Sequence, residues 1–152
     1  MDDRQAELTE IKNEVIELHT EWNRKYLHLK TVNNFIFHLD KIKNEADKAW
    51  IYTTLKNYLL CCKQIDEELD REQSNQLYTK FIDKIGQYYR HNLKFRMIGN
   101  KVVYVIIFLV LILIVGLVFN FLVSLIIIPP FVHFLIYVSN KRKQKKVYGI
   151  FY

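Results

Sequence analysis

Apolar side chains recur every three or four positions through the first 85 residues, a stretch with neither glycine nor proline, and the spacing predicts helix throughout. Counted in heptads from Leu8, the a positions hold Leu8, Val15, Trp22, Leu29 and Ile36, and the d positions hold Ile11, Leu18, Lys25, Val32 and Leu39. This predicts a coiled-coil-like seam with one polar interruption, flanked by Glu7, Glu14 and Glu21 at g and by Lys12 and His19 at e. Its oligomer-forming residues are Leu8, Ile11, Val15, Leu18, Trp22 and Leu29. The alternative is an amphipathic helix packed inside its own bundle, which Trp22 favours because a narrow dimer seam accommodates indole poorly. Asn44-Glu45-Ala46-Asp47 reads as an N-cap opening a second helix, and Ser74 as the N-cap of a third carrying Leu77, Phe81, Ile85 and Tyr88.

The pattern then changes. Val102 to Ser139 contains no Asp, Glu, Lys or Arg and is almost wholly apolar. Helix rise converts it to roughly 57 Å, against about 30 Å for a bilayer core, which is too long for one span and barely long enough for two. A turn near Asn120 divides the block into equal arms, while a reversal at Pro129-Pro130 makes the second arm re-entrant. With the turn near Asn120, Pro129 and Pro130 fall inside the second arm and are expected to kink it, because proline frees backbone carbonyls. Gly99-Asn100 permits a bend before the first arm. The expected organisation is all-α: a helical bundle or coiled coil over residues 1–98, a membrane hairpin over 99–139, and a basic, aromatic tail over 140–152 that folds back onto the bilayer interface or the bundle.

Charge sharpens the membrane reading. The net charge of +6 divides into 13 − 16 = −3 for residues 1–84 and +9 for residues 85–152, where no acid occurs. Arg90, Lys94, Arg96 and Lys101 precede the apolar block, and Lys141, Arg142, Lys143, Lys145 and Lys146 follow it. Without a nucleic-acid reading motif, the partner such flanks imply is a bilayer with anionic headgroups rather than a nucleic acid. Cationic flanks stay on the cytoplasmic side, so both termini of this integral membrane protein are expected there. The acidic start Met1-Asp2-Asp3 lacks the pattern of a secretory signal. Adjacent Cys61 and Cys62 point too far apart on a helix to bridge, and read as small buried hydrophobes.

Chemistry-bearing motifs are sparse. No phosphate loop, paired CxxC, HExxH or nucleophile elbow is present, so neither an enzyme nor a cofactor is expected. His19, His28 and His38 fall on different faces of a helix and read as bundle-lining residues. The acidic row Glu7, Glu10, Glu14, Glu17 and Glu21 reads as a solvated face, or as a dock for a basic partner or the chain's own tail. Within the apolar block, Asn120, Ser124 and His133 are the polar groups expected to make membrane contacts. The chain thus reads as a membrane-anchored, self-associating scaffold or accessory subunit, a homo-oligomer or the partner of another helical protein. Its hairpin resembles reticulon-type hairpins in outline. The layout is also similar to that of small two-span effectors of bacterial conflict and antiphage systems, which implies a pore-forming or membrane-perturbing alternative.

Overall fold

The computed structural model describes residues 3–97, 101–118 and 128–149. The expected breaks at Gly99-Asn100 and at Asn120, together with Ser124, lie outside them. The fold is all-α apart from one pair of two-residue strands: α1 (Asp3–Leu18), α2 (Glu21–Tyr26), α3 (Leu29–Phe37), a 3-10 turn (Leu39–Lys41), α4 (Glu45–Lys63), α5 (Arg71–Leu77), a π-helical turn (Tyr78–Ile82), α6 (Asp83–Leu93), β1 (Arg96–Met97), α7 (Lys101–Val118), α8 (Ile128–Lys143) and β2 (Val147–Tyr148).

The predicted seam is not one helix. It breaks after Leu18 and again at His28, although neither place has glycine or proline, because buried polar side chains demand partners elsewhere. Thr20 caps α2 by accepting from the Asn23 N–H at 3.4 Å. His19 Nε2 donates to the Cys62 carbonyl at 2.8 Å. Asn23 bridges to the α4–α5 connection, donating to Glu67 O at 3.1 Å and accepting from Leu69 N at 2.9 Å. His28 turns left-handed at φ 46° and places Nε2 3.1 Å from the Ser74 carbonyl. The broken path divides the seam residues. Leu8, Val15 and Leu29 are buried in the chain's own core and Ile11 packs beside them, whereas Leu18 and Trp22 are 62% and 52% exposed.

α1 lies along α4, and side chains cross-link the pair. Glu7 accepts from Tyr52 Oη and from Lys56 Nζ, the latter at 2.5 Å, and Glu14 meets Lys63 at 2.8 Å. Part of the acidic row is therefore matched inside the bundle, while Glu10 and Glu17 stay exposed. Asn44 caps α4 as predicted, its Oδ1 accepting from Ala46 N at 2.9 Å and Asp47 N at 3.3 Å. The third helix starts earlier than expected. Asp70 and Gln73 form a reciprocal capping box, and Ser74 instead lies buried, donating its hydroxyl to Tyr26 O at 2.8 Å. Cys62 is buried, and that burial pushes its thiol up to about 12.

Candidate functional site at the base of the apolar helices

The tail is built into the bundle. β1 immediately precedes the first apolar helix and β2 follows the second, and the two pair in parallel, Arg96 opposite Val147 and Met97 opposite Tyr148. The Arg96 N–H donates to Lys146 O at 3.0 Å. Three polar side chains on one face of α3 and just beyond it hold the tail's backbone from the other side. Asn34 donates to Val147 O at 2.9 Å, His38 Nε2 donates to Gln144 O at 2.9 Å, and Thr31 Oγ1 bonds both the carbonyl and the N–H of Gly149 at 3.2 and 3.3 Å. The Tyr148 ring sits 6.0 Å from Phe35, which is 4.7 Å from Tyr89 and 5.9 Å from Phe95. The start of the first apolar helix and the end of the second are thereby tied to one place on the bundle.

Two lysines shape these connections. Lys94 ends α6 at φ 57°, and Lys145 ends α8 at φ 55°, both left-handed without glycine. At Lys145 the pattern is a Schellman closure, with Lys146 N bonded to Lys141 O and Lys145 N to Arg142 O, each at 2.9 Å. It turns the chain from α8 into β2.

The apolar helices touch through Phe108 and Phe131, whose rings stack at 3.6 Å and 7°. Much of their remaining described surface is bare aliphatic side chain, including Ile107, Leu109, Leu113, Val132 and Ile136. Among the described residues no helix is long and apolar enough to cross a membrane. Pro129 and Pro130 occupy the first turn of α8, where proline costs no intrahelical hydrogen bond because first-turn N–H groups have no intrahelical acceptor to lose. His133 is exposed on α8.

Basic side chains from both flanks meet around this base. Arg96 and Lys141 each lie 5.7 Å from the Tyr137 ring centroid. Arg90, Lys94, Lys143 and Lys145 are exposed, Arg142 and Lys146 are half-buried, and the Lys101 side chain is outside the described residues. Burial lowers the Lys146 pKa, and Lys141, Lys41 and Lys94 lower it further. His38 is lowered too, first by burial and then by Lys41 and Lys146, against opposing contributions from the Gln144 carbonyl and Asp40. Its Nδ1 is buried without a hydrogen-bond partner among the described residues, so a second ring proton finds no acceptor among them. The flanking cations were legible in the sequence; Thr31, Asn34, His38 and Lys41 were not singled out as their neighbours. Polar residues at helical spacing among the apolar positions of α3 (Leu29, Val32, Phe35 and Ile36) were the available signal.

The histidines serve three separate carbonyls, and among the described residues no group of three or more His, Cys, Asp or Glu is placed to hold a metal ion. No protein-family model matches the chain, and no curated protein or solved structure matches it either.

Proposed function

We propose that the protein is a membrane-anchored helical interaction protein, with α7 and α8 as a hairpin dipped into a bilayer and the bundle held at its surface. The observation that carries this reading is the β1–β2 pair, which ties both basic flanks to one side, beneath two helices with uncovered aliphatic surfaces. At 1.5 Å per residue the 18 residues of α7 come to about 27 Å, slightly short of a bilayer core of about 30 Å. A hairpin of this length is accommodated by local thinning and by snorkelling of its flanking lysines, or by entering only part of the bilayer. Anionic headgroups suit the cations at its base. Self-association belongs to the same proposal. The residues left for it in the α1–α2 region are Leu18 and Trp22, since Leu8, Val15 and Leu29 are already covered.

Reconstitution of the full chain in liposomes tests the anchor. Resistance to carbonate extraction, with tags at residues 1 and 152 equally protected or equally exposed, is the expected result. Release by carbonate, or labelling of one tag only, overturns it.

A second reading, the membrane-perturbing effector, is favoured by one observation: His133 is a polar side chain exposed on the apolar part of α8. Dye leakage from these liposomes that His133→Leu abolishes would support a polar lumen between hairpins, and intact vesicles at high protein density would exclude it.

A further inference from the structure

Between α1 and the corner formed by α3 and the 3-10 turn lies a cleft of about 270 Å³, closed on one side by Lys145 at the end of α8. Its lining includes Gln5, Asn33, Phe37, Asp40, Lys41 and Lys145. Two cations share the Phe37 ring, with Lys145 Nζ 4.1 Å and Lys41 Nζ 5.9 Å from its centroid. Lys12 reaches the same place from α1, its Nζ donating to Asn33 Oδ1 at 3.0 Å. Asn33 therefore has N–H donors left to offer a ligand. Among the described residues none of these lysines forms an ion pair with a carboxylate. With Asp40 as the single acid on the lining, the local charge is 3 − 1 = +2.

We propose that this cleft binds a phosphate monoester, with Lys12, Lys41 and Lys145 meeting its oxygens and Asn33 donating a hydrogen bond. A monoester carries about −1.5 to −2 at pH 7, which matches the local charge, whereas a phosphodiester carries half as much. The cleft is small for a drug-sized ligand, at the low edge of pockets of roughly 300–1,000 Å³, and suits a compact anion. Lys12 is half-buried, and its pKa is lowered by that burial and by the neighbouring Lys145. The phosphate comes either from a lipid headgroup with a terminal monoester or from a soluble phosphate ester. The lipid source rests on the membrane reading above, while the cleft's chemistry does not.

Full-length protein in neutral detergent is titrated calorimetrically with glycerol 3-phosphate, and the same protein is floated with phosphatidylcholine vesicles containing phosphatidate or, at equal surface charge, phosphatidylglycerol. Saturable binding of glycerol 3-phosphate is expected, weakened at least tenfold by Lys41→Gln with Lys145→Gln and unchanged by Lys25→Gln on the distant α2. A preference for phosphatidate vesicles lost in the same double variant identifies the headgroup as the source; equal flotation on both vesicles, with soluble binding retained, identifies a soluble ester. The proposal is overturned if neither glycerol 3-phosphate nor phosphatidate is preferred, or if the double variant binds as well as the parent. Carbonate extraction of the same vesicles separates the two readings. Binding by a protein that carbonate strips away leaves the cleft and ends the anchor, and an embedded protein that does not bind ends the cleft alone.

Discussion

Gly86 leaves the space that the Tyr148 ring fills: a Cβ at residue 86 would overlap the ring's Cε2 and Cδ2. Both residues are buried, one in the middle of α6 and the other beyond both apolar helices. The absence of one side chain in the bundle is thus matched to the presence of another in the tail.

Gly86→Ala is expected to destabilise docking of the tail. Overpacking costs about 1–3 kcal/mol, only partly offset by a helix-propensity gain of about 1 kcal/mol for alanine over glycine. In a Tyr148→Ala background the clash is gone, and the same change should become stabilising by about 1 kcal/mol. Denaturant unfolding of the four proteins in one detergent checks the reversal of sign.

Acidification should loosen the tail through His38. Its folded pKa lies below the ordinary value of 6.5, so the folded state binds fewer protons than the unfolded one in that interval. The stability it contributes is fully present above about pH 6.5 and is lost as the pH falls through the lower folded value. Unfolding midpoints measured at pH 7.5 and 5.5 should differ more for the parent than for His38→Gln, whose amide can still donate to Gln144 O.

What was legible in the sequence is what short-range chemistry decides. The Asn44 cap depends on N–H groups two and three residues away, and it forms. Helix over most of the bundle follows from spacing and from the absence of glycine and proline, but not its continuity. The break near His19 was not legible, because its cause is a carbonyl 43 positions distant, and the His38–Gln144 bond spans 106. The heptad count treated Leu18 and Trp22 like Leu8 and Val15; only the path of α2 separates them. Ser74 has the right residue type for a cap, but Asp70 with Gln73 makes the better one. The tail's return to the bundle was one of two destinations, and the choice depends on the slot at Gly86, a feature of folded shape.

Replacing Lys94 or Lys145 with glycine should stabilise the bundle. The left-handed conformation costs a side-chain-bearing residue about 1–2 kcal/mol, and glycine gives back about 0.5–1 kcal/mol as unfolded-state entropy. A net gain of about 0.5–1 kcal/mol is expected at each site. Lys145→Gly carries a second signature, since it should raise the unfolding midpoint while weakening phosphate binding. Thermal unfolding and calorimetry on the one protein read both.

Substitutions in the former seam should separate into two classes. Leu8→Ala empties a buried site and is expected to cost about 2–5 kcal/mol. Leu18→Asp lies on the surface and should change stability by no more than about 0.5 kcal/mol. Light scattering in detergent then tests whether Leu18→Asp with Trp22→Asp lowers the oligomer mass. An unchanged mass places any self-association outside α1 and α2.

The parallel pairing of β1 with β2 has a consequence for biogenesis. Val147 and Tyr148 are synthesised after both apolar helices, so the slot formed by Gly86, Phe35 and Tyr89 stays empty until the hairpin has been made. Closure of the aromatic core therefore belongs to the last step of synthesis, when the segment beyond both apolar helices reaches the bundle.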